Sequence, residues 1–316
     1  MFVSICLLTH NRASILARSI TSILAQTHKH FELIINDNAS TDQTEILCKE
    51  WVAKDERIKY IRNRENVGFA DNQNLAVIRA KSEYIALLHD GDIYKPTLIE
   101  KWLEALLLNP DAAFVFNRYE SLDSAGNKIG CIRVNQDGVE YNLGSNLKLY
   151  DFMLKKEGSP IFGMVMLRRS KVQAAGPFDQ RLRNLADVDM WYRLLLKNKF
   201  VFLDEALIQI APREVDHVIK PSNWKIQIQY ELIYIVNALR RNPDSFGLFS
   251  RLDIDLMLLR RSVRWICWCV LKKQITGIKD GLRHIAGYLH RKREILLDSG
   301  RVHGSWEEIE SLSRKV

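Results

Sequence analysis

Short apolar runs alternate with amphipathic segments over the first two thirds of the chain, and no other feature restricts the fold as much. Residues 2–8, 31–35, 58–61, 84–88 and 112–117 are apolar runs of strand length. Between the first two, Ile15, Leu16, Ile20, Ile23 and Leu24 recur at the spacing of one helix face. A second helix, capped by Thr41 or Asp42, is expected to run to about residue 54. A third follows the Asn66-Val67-Gly68 turn, and a fourth starts at Pro96, which suits a first helical turn. Apolar strands separated by helices belong to βαβ units. The expected fold is therefore α/β, built on a mainly parallel sheet.

Later segments are shorter. Ser124-Ala125-Gly126-Asn127 has the composition of a hairpin turn, and residues 131–160 lose periodicity as Gly, Asn and Asp accumulate. A strand is expected over 161–167, a short helix over 170–175, and a turn at Gly176-Pro177-Phe178-Asp179. Asp187 or Asp189 opens another helix, followed by two short strands near Val201 and Leu207. Beyond Pro221, residues 223–241, 249–273 and 275–297 carry apolar stripes with Arg and Lys opposite. The boundary between the α/β part (1–215) and the helical part (216–316) is expected near Pro212 to Pro221.

Chemistry concentrates at the end of the 84–88 run, which stops at His89-Asp90-Gly91-Asp92. In open α/β sheets, ligands gather at the carboxyl ends of strands. Two carboxylates there repel each other and favour a hard divalent cation, Mg²⁺ or Mn²⁺, which commonly brings substrate phosphates. A solvated acidic turn fits the same residues, because Asp-Gly is ordinary turn chemistry.

The net charge of +8 is carried almost wholly by the residues from Arg213 onward. A basic region attached to a neutral one points to an anionic partner. Aromatic interleaving and a recognisable module are both missing, so nucleic acid is not the expected one. The 5 cysteines are scattered without a Cys-x-x-Cys pair, which argues against a disulfide framework or zinc site. Cys267-Trp268-Cys269 with Trp265 reads as core packing. No apolar run reaches the roughly 18 residues of a membrane span, and the first residues do not read as a signal peptide. A cytoplasmic location is expected.

The order of these features resembles family 2 glycosyltransferases, nucleotide-sugar enzymes of the GT-A fold. The resemblance covers about residues 2–215. It runs through Leu8-Thr9-His10-Asn11-Arg12, Asn36-Asp37-Asn38-Ala39-Ser40-Thr41-Asp42, and Asn66-Val67-Gly68 with Asn74. It continues through Asp90-Gly91-Asp92, Gly176-Pro177-Phe178-Asp179 and Ala186-Asp187-Val188-Asp189. It implies a nucleotide-binding half over about 1–117 and an acceptor half over about 118–215. Thr9, His10, Asn11, Arg12, Asp37, Asn66, Gly68, Asn74 and Asp90 would then line the nucleotide, with Asp37 accepting a hydrogen bond from the base and His10 stacking on it. Asp92, with Asp90, would hold the metal that stabilises the diphosphate leaving group.

Asp187 would be the general base that takes the acceptor proton, with Asp189 as runner-up. The family commonly has Glu-Asp where this chain has Ala186-Asp187, which puts the tuning of the base in doubt. The implied activity is inverting transfer from a nucleotide-diphosphate sugar, UDP-linked in preference, to a saccharide or lipid-linked saccharide hydroxyl. A catalytically silent GT-A scaffold is the alternative. A sugar nucleotidyltransferase would want a Gly-rich phosphate loop, and Thr9-His10-Asn11-Arg12 has no glycine. Arg62, Arg64 and Lys95 are weaker phosphate candidates, and His217 a weak third metal ligand. The basic tail is open to three readings: a homodimer interface, a capping subdomain, or a peripheral contact with anionic lipid at the inner face of the membrane.

Overall fold

Four parallel strands form one half of the sheet, and the first, second and fourth of them are buried on both faces over nearly their whole length. They are β1 (Val3–Thr9), β2 (Phe31–Asp37), β3 (Ile58–Arg62) and β4 (Tyr84–His89). Every residue of β1 and β2 is buried, and Val3 pairs with both Phe31 and Tyr84. The computed structural model describes residues 1–131, 161, 163–212, 263 and 304–315. Helices α1 (Ala13–Leu24), α2 (Thr44–Lys54) and α3 (Phe69–Arg79) make the crossovers. The expected stripe on α1 is the buried one, through Leu16, Ile20 and Ile23. The Asp42 carboxylate accepts the Thr44 N–H and the Ala13 N–H, each at 3.0 Å, and so serves the first turns of both α2 and α1.

The other half of the sheet is mixed. It contains β5 (Ile93–Tyr94), β6 (Ala112–Leu122), β7 (Lys128–Cys131), β8 (Val165–Arg168) and β9 (Lys199–Ile210). The strand order is β3-β2-β1-β4-β8-β6-β9-β5, with β7 paired to β6. The hairpin turn between β6 and β7 lies where expected, and Asp123 Oδ1 gathers the Ala125 and Asn127 N–H groups. One strand, β9, replaces the two expected near Val201 and Leu207. It stays paired with β6 because Asp204 and Glu205 bulge out of register between Leu203 and Ala206. Arg118 meets the bulged Asp204 at 2.9 Å.

Helix α4 (Leu98–Leu108) precedes β6, and α5 (Arg169–Ala175) follows β8. A 3₁₀ segment, Gln180–Leu185, leads into α6 (Ala186–Leu195). Aromatic packing seats α6 on the sheet: the Trp191 ring lies 5.5 Å from Phe114 and 6.2 Å from Phe178, between centroids. Buried rings of this size dominate local packing energy and so fix where α6 begins.

The chain divides into two compact units, Met1–Arg213 with His303–Val316, and Glu214–Val302. The helical patterns at 223–241, 249–273 and 275–297 lie outside the described residues, as do the irregular stretch beyond Cys131, His217 and the Cys267-Trp268-Cys269 cluster. Helix α7 (Trp306–Lys315) belongs to the first unit and packs against α3. Its start carries a reciprocal cap: Ser305 Oγ accepts the Glu308 N–H at 3.2 Å, and Glu308 Oε2 accepts the Ser305 N–H at 3.1 Å. Trp306 Nε1 donates to the Gln173 carbonyl at 2.9 Å, and Ile309 is buried. Removing residues 304–316 should therefore lower stability by about 2 kcal/mol, the scale of one large buried apolar side chain. Urea denaturation of the truncated chain checks this, and an unchanged midpoint would contradict the docking.

Candidate active site

Between β4 and β5 the chain makes a tight arch, and Tyr94 closes it. The Tyr94 hydroxyl donates to the His89 carbonyl at 2.5 Å and accepts the His89 N–H at 3.0 Å. Helix α1 holds the other side: Arg18 Nε donates to the Gly91 carbonyl at 2.5 Å, Ser19 Oγ to the Asp92 carbonyl at 2.7 Å, and Ser22 Oγ accepts the Tyr94 N–H at 3.2 Å. Gly91 adopts φ +81°, and a Cβ there would stand 2.6 Å from Ile15 Cδ1, so the arch needs glycine. Asp92 is 1% exposed, and Asp90 Oδ1 lies 4.0 Å from Arg12 Nε. These are oxygen donors only, which suits a hard divalent ion. Among the described residues no group of three or more His, Cys, Asp or Glu could hold a metal ion alone. Two carboxylates suffice for an ion that a diphosphate completes.

The ends of β1, β2 and β3 form a second wall. Thr9 is buried, and its carbonyl accepts the Asn38 N–H at 2.9 Å. His10 is exposed, and Asn11 takes a positive φ of 53°. Asn11 sews two loops together: its N–H donates to Ser40 Oγ at 2.8 Å, and its Oδ1 accepts the Thr41 N–H at 2.7 Å. Asp37 is fully buried. Its Oδ1 accepts the Ser40 N–H at 2.9 Å and the Ser40 hydroxyl at 2.5 Å. Its Oδ2 accepts the Tyr60 hydroxyl at 2.6 Å and faces Arg62 at 3.9 Å. A carboxylate offers about four lone-pair sites, so Asp37 retains capacity mainly at Oδ2. Arg62 is itself committed to the Ser40 carbonyl and Glu45, and Lys95 lies 3.6 Å from Glu120.

Asparagines link these loops: Asn36, Asn38 and Asn66 fall in the motifs quoted above, whereas sequence reasoning missed Asn63 and Asn72. Asn38 Nδ2 donates to Asn66 Oδ1 at 2.8 Å, and Asn38 Oδ1 accepts from Val67 N and from Asn63 Nδ2. Asn63 reaches Asn72 Oδ1 at 3.0 Å, and Asn36 reaches the same oxygen at 2.8 Å. Asn66 Oδ1 also accepts the Gly68 N–H at 2.9 Å, while its Nδ2 lies 3.3 Å from His10 Nε2. The available signal was the density of amides at strand ends that are otherwise apolar. Asn74 lies apart from this chain of amides. It brackets Phe178, accepting its N–H at 2.7 Å and donating to its carbonyl at 3.0 Å.

Asp187 and Asp189 share the first turn of α6 but meet different surroundings. Asp189 Oδ2 accepts Arg193 Nε at 2.8 Å, and the same guanidinium donates to the Ala175, Gly176 and Pro177 carbonyls. Asp189 therefore pins the 176–177 turn. Asp187 is buried, and its Oδ1 accepts the Val188 N–H at 2.7 Å. Burial pushes its carboxyl up to about 7 against the effect of that bond. Gly163 shows where Asp187 lies: the position of a Cβ there would be 2.7 Å from His89 Cε1 and 3.1 Å from Asp187 Oδ2. Residues almost a hundred positions apart thus converge at the end of β4, beside Asp90.

Comparison with known proteins gives this arrangement its class. The model of the family described as Glycosyl transferase family 2 matches residues 4–176. The chain belongs to that family. An uncharacterized glycosyltransferase of Methanocaldococcus jannaschii is 30% identical over 73% of this chain and 78% of its own length. A putative teichuronic acid biosynthesis glycosyltransferase of Bacillus subtilis is 27% identical over 73% of this chain and 86% of its own. Among solved structures, S. aureus TarS 1-349 in complex with UDP-GlcNAc has a TM-score of 0.55 at 17% identity, covering 100% of this chain and 92% of that one. A mannosyltransferase from Pyrobaculum calidifontis, in complex with GDP-Man and Mn²⁺, has a TM-score of 0.55 at 13% identity, covering 99% and 86%. These likenesses establish the GT-A fold. No helix among the described residues is long and apolar enough to cross a membrane.

A carboxyl raised to about 7 titrates in an accessible range. Turnover that needs the Asp187 carboxylate should rise as pH increases through about 7 and level off above it. Stability should move the other way. The folded chain holds the Asp187 proton more tightly than the unfolded one, so this group's contribution is full below about pH 4 and lost as pH rises through 7. Asp187→Asn should accordingly raise the melting temperature at pH 8 and change it little near pH 4. Equal effects at both pH values would contradict the burial argument.

Proposed function

We propose that this chain is an inverting glycosyltransferase. It moves a sugar from a nucleotide-diphosphate donor, UDP-linked in preference, to a hydroxyl of a saccharide or lipid-linked saccharide during surface polysaccharide synthesis. The observation that carries this reading is the approach of Asp187 to the end of β4, where the Asp90-Gly91-Asp92 arch begins. The donor preference is supported by the UDP-GlcNAc bound in TarS, and the acceptor class by the teichuronic acid relative.

Mg²⁺ or Mn²⁺, held by Asp92 and Asp90, would act as a Lewis acid on the diphosphate. The Mn²⁺ of the Pyrobaculum neighbour supports that choice. Thr9 to Arg12, Asp37 through Oδ2, Asn66 and Gly68 form the nucleotide side. Asn74 serves it indirectly, by tying α3 to the 176–179 turn. Asp187 receives the proton of the attacking hydroxyl, and a single displacement with one base inverts the anomeric centre. Basic residues beyond Arg213 provide peripheral contact with anionic lipid at the inner face of the membrane, where a lipid-linked acceptor would be met.

Two measurements test this reading. Calorimetric titration with UDP should show binding that requires Mn²⁺ and is abolished in the Asp90→Ala, Asp92→Ala double variant. Binding unaffected by the substitutions and by EDTA would overturn the metal assignment. For the base, Asp187→Asn should keep donor affinity near wild type and lower turnover at least about a hundredfold. Asp189→Asn should keep most turnover and lose stability, because it leaves the buried Arg193 guanidinium without its carboxylate. The reverse pattern would assign the base to Asp189.

A further inference from the structure

Gly163 sits in a crowded place. It lies two residues before β8, whose antiparallel register with β4 pairs Leu87 with Val165. Continued by two residues, that register sets Gly163 opposite His89. Its φ is +76°, a region that side chains rarely adopt. A Cβ would meet His89 Cε1 at 2.7 Å, His89 Nε2 at 3.0 Å and Asp187 Oδ2 at 3.1 Å. Carbon contacts below about 3.4 Å are repulsive. The imidazole has little freedom to yield, because the Phe69 ring stands edge-on at 5.9 Å and Tyr94 grips the His89 backbone on both sides. Asp187 has little more, since α6 is anchored by Trp191 and by the Arg193 fork.

We propose that Gly163 and His89 are positioning residues for sugar transfer: the bare backbone at 163 lets the His89 ring and the Asp187 carboxylate close on one point, which sets the base at the end of β4. This rests on the assignment of Asp187 as base. His89 acts here as a wall of fixed shape, and Gly163 as the gap that admits both groups. A methyl group at 163 moves the carboxylate or the ring by a few tenths of an ångström or more. Misplacement on that scale is enough to slow a reaction that depends on a near-attack geometry.

The test is a double-mutant cycle on turnover, with donor KM followed in parallel. Gly163→Ala should lower kcat at least about tenfold with donor KM within about threefold of wild type, because the nucleotide wall is built from other loops. In a His89→Ala background the same substitution should cost less than about threefold, because loss of the ring removes the two nearest contacts and lets the methyl move away from Asp187 Oδ2. Backbone strain at positive φ is present in both backgrounds and cancels in the cycle. Should Gly163→Ala alone fold poorly, the cycle can be closed on melting temperature, where the same non-additivity is expected. Equal fold-losses in the two backgrounds, or a Gly163→Ala kcat within twofold of wild type, would overturn the proposal. An inactive Asp187→Asn with an additive 163/89 cycle would refute this inference alone. An active Asp187→Asn would refute the base itself.

Discussion

The double grip of Tyr94 on the His89 backbone is the contact on which the site depends. One hydroxyl both donates and accepts, so the end of β4 and the end of β5 are locked at a single point. The arch between them carries Asp90 and Asp92, whose mutual repulsion would otherwise open it. Three side chains of α1 and the nearby Arg12 oppose that opening from the outside. Because α1 also buries Leu16, Ile20 and Ile23 in the core, the arch inherits the rigidity of the sheet. The proposed cation and diphosphate would then meet carboxylates already held in place.

The Asp187 part of the site rests on apolar packing. Trp191, Phe114 and Phe178 hold α6, and the Arg193 fork joins α6 to the turn that precedes it. This support allows a carboxylate to be buried at Asp187 in spite of its desolvation cost. The same burial that raises its proton affinity makes it a stronger base near neutral pH.

Much of this architecture was legible because it depends on local pattern. The apolar runs of β1 to β4 and the stripe on α1 are set by neighbours within a few positions, and they folded as their periodicity required. Features set by distant pairing were hidden. Nothing around Gly163 announces that His89 will face it, since their meeting depends on the register between β4 and β8. The bulge at Asp204 and Glu205 likewise made one strand look like two, because the polar pair interrupts a period that pairing with β6 sustains. The contrast between Asp187 and Asp189 was within reach. Arg193 stands four residues after Asp189, the spacing of a helical ion pair, and that alone marks Asp189 as the structural carboxylate.

Helix α7 packs on α3 although residues 214–302 separate it in sequence from the rest of its unit. The order of synthesis gives that topology a consequence. A ribosome adds about 5–20 residues per second, so the face of α3 that α7 covers stays bare for several seconds after β9 is complete. During that interval Ile309, which is buried in the folded chain, has not yet been made. Completion of that unit is thereby tied to prior synthesis of residues 214–302. A chain arrested within that segment would carry the arch and the buried Asp187 but lack the helix that packs on α3.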